Sequence, residues 1–100
     1  MILVRLVFQA RSGKANDVVA GFKQTAEIAR QVVGQNARGR ILTDLSGPFN
    51  TVVQEIEVES LAEWERLRAA MFSNPKFQQA QVTAADLIES GRTEFYTIEA

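Results

Sequence analysis

Glu55 and Glu57 stand two residues apart in the run Thr51 to Glu59, which alternates Val52, Gln54, Ile56 and Val58 with Val53, Glu55, Glu57 and Glu59. A period of two is the signature of a strand, so both carboxylates share one face of it. Such a pair can act as general acid and base if burial raises one pKa, or can chelate a cation if both stay ionised. Arg5, on a strand expected alongside, and Arg40 offer a third outcome: cross-strand charge pairs that neutralise the acids without any chemistry. The other usual reagents are missing. The chain has no histidine and no cysteine, which excludes Ser-His-Asp and Cys-His nucleophile pairs, thiolate metal sites and His-ligated haem or zinc within it. Catalysis, if any, falls to carboxylates, Tyr, Lys or a reactive substrate, and no cofactor or metal is expected. The glycines match neither G-x-G-x-x-G nor G-x-x-x-x-G-K-[ST].

Bulk composition narrows the partners. One hundred residues make a single domain spanning 1–100, and 46% hydrophobic with 23% charged residues is ordinary for a folded chain. The 11 basic and 12 acidic side chains nearly cancel and form no long run of either sign, so a nucleic-acid partner is not expected. No segment approaches a membrane span, and MILVRLVFQA lacks the basic start and longer apolar run of a signal peptide. A cytoplasmic location is the resulting expectation.

The elements that must position these residues follow from periodicity. Ile2 to Gln9 is rich in Val, Leu, Ile and Phe and reads as a strand apolar on both faces. Arg11-Ser12-Gly13 breaks it, with Ser12 as the expected N-cap of a long helix. Ala15, Val18, Val19, Phe22, Ala26, Ala29, Val32 and Val33 keep helical spacing up to Gly34. Arg38 to Leu45 and Thr51 to Glu59 form a hairpin around Ser46-Gly47-Pro48. Ser60 and Glu63 have capping-box spacing and open a helix with Leu61, Trp64, Leu67, Arg68 and Met71 on one stripe. Asn74-Pro75 interrupts it, since a residue before proline disfavours helix while proline suits a first turn. A further helical piece is expected to about Glu89, closed by Gly91, and a last strand over Thr93 to Glu99.

This order, β-α-β-β-α-β, is the ferredoxin-like α+β pattern: a four-stranded antiparallel sheet with strand one beside strand three at the centre and helices on one face. One helical layer cannot cover two faces. The open face would hold either Ile2, Val4, Leu6 and Phe8 or Leu3 and Val7, both too apolar for water, so a homodimer packed through it is expected.

Two stretches, SGPFNTVV from Ser46 to Val53 and EVESLAEWERLRAAMFSNPKF from Glu57 to Phe77, resemble the NIPSNAP family of the dimeric α/β-barrel superfamily. The shared features are a glycine turn and strand, an E-S-L-x-E helix start at Glu59 to Glu63, and Asn74-Pro75 followed by Phe77. The resemblance implies two sheets paired into a barrel with helices outside, with no agreed reaction; the first functional expectation is a small, largely apolar ligand held between each subunit's helices and sheet. Relatives in the superfamily include cofactor-independent monooxygenases, in which a Trp, an Asn and a second aromatic frame an aromatic substrate. The comparable set here is Trp64, Asn50 or Asn74, and Tyr96, with Arg5, Glu55 and Glu57 as the charged candidates. The alternative function is thus a monooxygenase or isomerase acting on an aromatic or polyketide-like substrate. A third reading is an interaction module using the edge of strand two. Against all three stands the plainer assignment of Trp64 to the core and the asparagines to turns and caps.

Overall fold

A computed structural model describes residues 1–34 and 38–100, with the side chains of Val33 and Arg38 outside that description. Seven elements follow one another: β1 (Ile2–Ala10), α1 (Ala15–Val33), β2 (Arg38–Thr43), β3 (Thr51–Val58), α2 (Leu61–Phe72), α3 (Pro75–Ala85) and β4 (Ile88–Thr97). The strands pair antiparallel in the order β2-β3-β1-β4. Strand one therefore lies beside strand three, as the crossover rule requires.

The register settles which face of β1 meets the helices. Leu6 lies opposite Gln54 and Thr93, and Phe8 opposite Val52 and Gly91. These even-numbered residues face the helical layer: Ala10, Val18, Phe22 and Val52 form one buried cluster, with Phe8, Leu87 and Ile88 packed against it. A second cluster, Ile28, Met71 and Phe77, joins the three helices farther along α1. The odd-numbered face carries Leu3, Arg5, Val7 and Gln9 beside Thr51, Val53, Glu55 and Glu57, and no helix covers it. The thinnest dimension of the molecule, 19 Å, is that of one sheet under one layer of helices.

Several boundaries differ from the periodicity reading: β2 stops at Thr43 rather than Leu45, β4 runs Ile88–Thr97 rather than Thr93 to Glu99, and both ends of the helical layer shift. Ser12 does not cap α1. The Lys14 amide donates to the Arg11 carbonyl at 2.9 Å, closing a turn through Gly13 at φ 78°, and the helix starts at Ala15 without a side-chain cap. The third helix ends at Ala85 rather than near Glu89, because the Leu87 amide turns back to the Ala84 carbonyl and Ile88 already pairs with Ala10. Leu87 and Ile88 are inward as expected, but as the turn and strand start. Gly91 is accordingly not a helix stop. It sits inside β4, opposite the Phe8 ring.

The caps of α2 and α3 follow their sequence signatures. Ser60 Oγ accepts from the Glu63 amide at 3.1 Å, while the Glu63 carboxylate reaches back to the Glu59 amide at 2.9 Å. Asn74 Oδ1 accepts from the amides of Lys76 at 2.9 Å and Phe77 at 3.2 Å, with Pro75 in the first turn. Replacing Asn74 with Ala should cost about 1 kcal/mol in urea unfolding, with Asn74→Ser keeping most of the stability. An unchanged midpoint in Asn74→Ala would show the cap to be dispensable.

Candidate functional site

The charged candidates gather on the uncovered sheet face. Glu55 is buried there and accepts from Arg5 Nε at 2.9 Å and Arg40 Nε at 2.7 Å. Arg5 also donates through Nη1 to Glu94 Oε1 at 2.9 Å, and Arg92 donates to Glu94 Oε2 at 2.7 Å. The outcome is one chain of pairs, Arg40–Glu55–Arg5–Glu94–Arg92, across all four strands. Glu57 is exposed and, among the described side chains, takes no part in it; it lies opposite Leu3 on β1. Of the two glutamates, Glu55 receives both arginines. Burial works against the Arg5 charge, but the hydrogen bond from Arg5 to Glu55 and the charges of Glu94 and Glu55 outweigh it and raise its pKa.

Tyr96 belongs to this face too, its hydroxyl donating to Glu94 Oε1 at 3.2 Å. Its register partner is Leu3. The hydrogen bond from Arg92, then that from Tyr96, holds the Glu94 carboxyl below the ordinary glutamate value of 4.5 against a partial desolvation penalty. A depressed folded pKa means stability that is present above the unfolded pKa and lost as pH falls through the folded one. Glu94→Gln should therefore be less stable than the parent at about pH 6, with the gap closing toward about pH 3 in urea titrations. A gap independent of pH would contradict this linkage.

Trp64 lies on the other side of the sheet. It borders a cavity of about 630 Å³ between the three helices and the inward sheet face, set between the two core clusters. Leu6, Gln54, Ile56 and Thr93 form its sheet wall; α1 contributes Val18 to Ala29, and α2 and α3 close it with Leu67, Met71, Phe77 and Ala84. The walls are mainly apolar. Trp64 packs edge-on against Phe95, ring centroids 6.4 Å apart. The structure thus places Trp64 and Tyr96 on opposite faces, and the aromatic beside Trp64 is Phe95, one position earlier. Asn50 lies outside the cavity, in the β2–β3 connection, where it holds φ 63° and its carbonyl accepts from the Ala10 amide at 2.9 Å. Asn74 is the α3 cap.

Two cavity residues were not singled out from sequence. Gln54 is 9% exposed and, among the described residues, its amide makes no hydrogen bond within the chain. Since no buried side-chain nitrogen or oxygen among these residues lacks a partner, that amide reaches open space, and the cavity is what it borders. Its signal was a lone amide in the apolar series Val52, Ile56, Val58. Arg68 lines the mouth, exposed, its guanidinium carbon 4.7 Å from the Phe72 ring centroid. Its signal was a single charge on the inward stripe of α2. Among the described residues no three of Asp, Glu, His or Cys gather to hold a metal ion, and no helix is long and apolar enough to cross a membrane.

Sheet order, one-sided helices and an interior cavity define a ferredoxin-like α+β protein. Comparison with known proteins makes the assignment specific: the NIPSNAP family model matches residues 5–99, and the chain belongs to that family. An uncharacterised NIPSNAP-domain protein from Burkholderia xenovorans superposes with a TM-score of 0.85 at 20% identity, covering 100% of this chain and 96% of that one. A NIPSNAP family protein of unknown function from Agrobacterium tumefaciens gives 0.82 at 18% identity, covering 96% and 86%. A putative antibiotic biosynthesis monooxygenase from Nitrosomonas europaea gives 0.75 at 15% identity over 100% of both chains, a likeness of fold alone. Comparison with curated proteins returns no match.

Proposed function

We propose that this NIPSNAP-family protein is a homodimeric binding protein that holds a small, largely apolar molecule between its helices and its sheet. The cavity carries this reading. At about 630 Å³ it has the size of a small-molecule site, with apolar walls and few polar groups. Trp64, the only tryptophan, borders it and makes an intrinsic reporter. Occupancy should change the Trp64 emission, and Met71→Trp, which fills the space from α2, should abolish binding of any ligand that produces the change. Retained affinity in Met71→Trp would place the ligand elsewhere.

The uncovered sheet face supports the dimer. Leu42 and Tyr96 are 36% and 49% exposed there, around Val7 and Val53. Glu55 and Glu94 are already held by Arg5, Arg40 and Arg92 within the protomer, so a second copy can cover both carboxylates without leaving either unpaired, and the one positive charge in excess stays at the exposed Arg40 and Arg92 ends of the chain of pairs. Sedimentation at micromolar concentration should return twice the chain mass; a monomer there would refute the dimer.

A second reading is favoured by Trp64 at the cavity, an indole that suits a flat ring system and is braced from outside the lining by Phe95. It is cofactor-independent oxygenation or isomerisation of an aromatic substrate in the same cavity, in which an electron-rich substrate reacts without histidine or cysteine. Oxygen uptake with anthrone-like substrates, lost in Trp64→Phe, would raise this reading above the first.

A further inference from the structure

The arginines of this chain have different fates. Arg5, Arg30, Arg40 and Arg92 each pair with a carboxylate, and Arg11 donates to the Asp86 carbonyl at 3.0 Å. Arg68 differs. Among the described residues it has no carboxylate within 4.0 Å, although Glu65 lies one turn back on the same helix. The face of the Phe72 ring holds its guanidinium instead, and Phe72 is itself braced edge-on by Phe77 at 5.2 Å. A guanidinium positioned by an aromatic face keeps its planar fork of donors available. This one stands at the mouth of the cavity.

The sheet wall of the same cavity holds the second polar group, the Gln54 amide, nine-tenths buried and without a partner among the described residues. An amide can donate to and accept from a carbonyl or hydroxyl, and burying it unpaired is unfavourable. The rest of the lining is mainly apolar, with Gln24, Thr25, Gln81, Thr83 and Thr93 as its other neutral polar members. Asp17, the charged lining residue on α1, does not complement Arg68. It lies in the first turn of α1, next to Val18 of the other core cluster, whereas Arg68 adjoins Leu67 of the Met71–Phe77 cluster.

We propose that the cavity takes an amphipathic organic acid, its carboxylate bound by Arg68 at the mouth and a carbonyl or hydroxyl oxygen of its apolar body bound by Gln54. The inference rests on the cavity being a ligand site and adds the chemical class of the ligand. Charge-assisted bidentate contact with Arg68 supplies orientation, and the Gln54 amide selects an oxygen-bearing ligand over a pure hydrocarbon tail.

Three probes test it: a linear hydroxynaphthoate with hydroxyl and carboxylate at opposite ends, its methyl ester, and the naphthoate lacking the hydroxyl. Each is titrated calorimetrically into the intact protein, with Trp64 emission as a second readout. The free acid should bind at least about tenfold tighter than the ester. Arg68→Met should remove that preference, weakening the acid about tenfold more than the ester. The hydroxyl should add about fivefold, a gain lost in Gln54→Leu. Equal affinity for acid and ester in the parent protein overturns the anion assignment, while cavity binding stands. An acid preference that persists in Arg68→Met removes Arg68 from the role, and a hydroxyl preference that persists in Gln54→Leu removes Gln54. If none of the three binds, the cavity reading and this inference both fail. The comparison of acid with ester needs no variant and does not depend on any substitution folding.

Discussion

Gly91→Ala is expected to lower stability by about 2 kcal/mol and to weaken ligand binding in the cavity, although position 91 does not line it. A Cβ built at Gly91 would fall 2.5 Å from Phe8 Cδ1 and 2.7 Å from Phe8 Cε1. No real Cβ sits that close, so the ring must move. Phe22, buried and edge-on to Phe8 at 5.2 Å, blocks one direction. Phe8 also borders the cavity, which leaves that space as the direction of relief. A displaced ring would occupy volume intended for a ligand. Phe8→Leu in the Gly91→Ala background should recover part of the loss, giving a coupling of about 1 kcal/mol or more in a double-mutant cycle. Urea unfolding measures the first effect and titration of a cavity ligand the second. A Gly91→Ala protein with parental stability and affinity would show that Phe8 is not confined as described.

Much of the fold was legible because its determinants are local. The period of two over Thr51 to Val58 and the helical spacing from Ala15 to Val32 each reflect a single buried face. The Ser60–Glu63 and Asn74–Pro75 signatures depend only on backbone donors within one turn. What escaped was the part decided by tertiary register. Strand one is apolar on both faces, so periodicity alone could not orient it. The polar pair Arg5 and Gln9 shares one face with Leu3 and Val7, and that is the face the helices leave open. A one-residue change of parity exchanges every side chain between faces, so the family analogy that groups Tyr96 with Trp64 cannot tell Tyr96 from its neighbour Phe95. Once Gly91 is read as a strand residue opposite Phe8, the parity of β4 follows, and Phe95 comes to the Trp64 side.

The candidate site divides along the same line. Its charged residues were legible as a set, since two acids with Arg5 and Arg40 on neighbouring strands invite pairing, and Glu55 indeed takes both arginines. Glu94 falls within the strand expected over Thr93 to Glu99 and Arg92 just before it, but their meeting with Arg5 depends on the β1–β4 register, which no single segment carries. Gln54 was visible in the alternation but looked like one polar residue in a strand. Its meaning depends on a cavity, and a cavity is the space left between three helices and a sheet, which no single segment encodes.

Leu42→Asp is expected to convert the proposed homodimer to monomer at micromolar concentration while leaving the protomer folded. Leu42 is 36% exposed on the edge strand β2, opposite Val53 on the uncovered face, so an aspartate there stays solvated in the isolated chain. In an isologous dimer every substitution is present twice. Burying one unpaired carboxylate in an interface costs about 2 kcal/mol or more, so two copies should weaken association by about a thousandfold. Arg40, two residues away on the same face of β2, is the cation that could offset part of this, and it is already engaged by Glu55, so Leu42→Asp is best measured beside Leu42→Asp with Arg40→Gln. Sedimentation should show the monomer, with the circular dichroism of the parent and an unfolding midpoint that no longer rises with protein concentration. The cavity lies on the opposite side of the sheet, so affinity for a cavity ligand separates two possibilities. If it persists in the monomer, each protomer holds its ligand alone. If it falls with the dimer, the partner stiffens the sheet wall that carries Gln54. A Leu42→Asp protein that still sediments as a dimer would mean that the uncovered face is not the contact, whatever the oligomer.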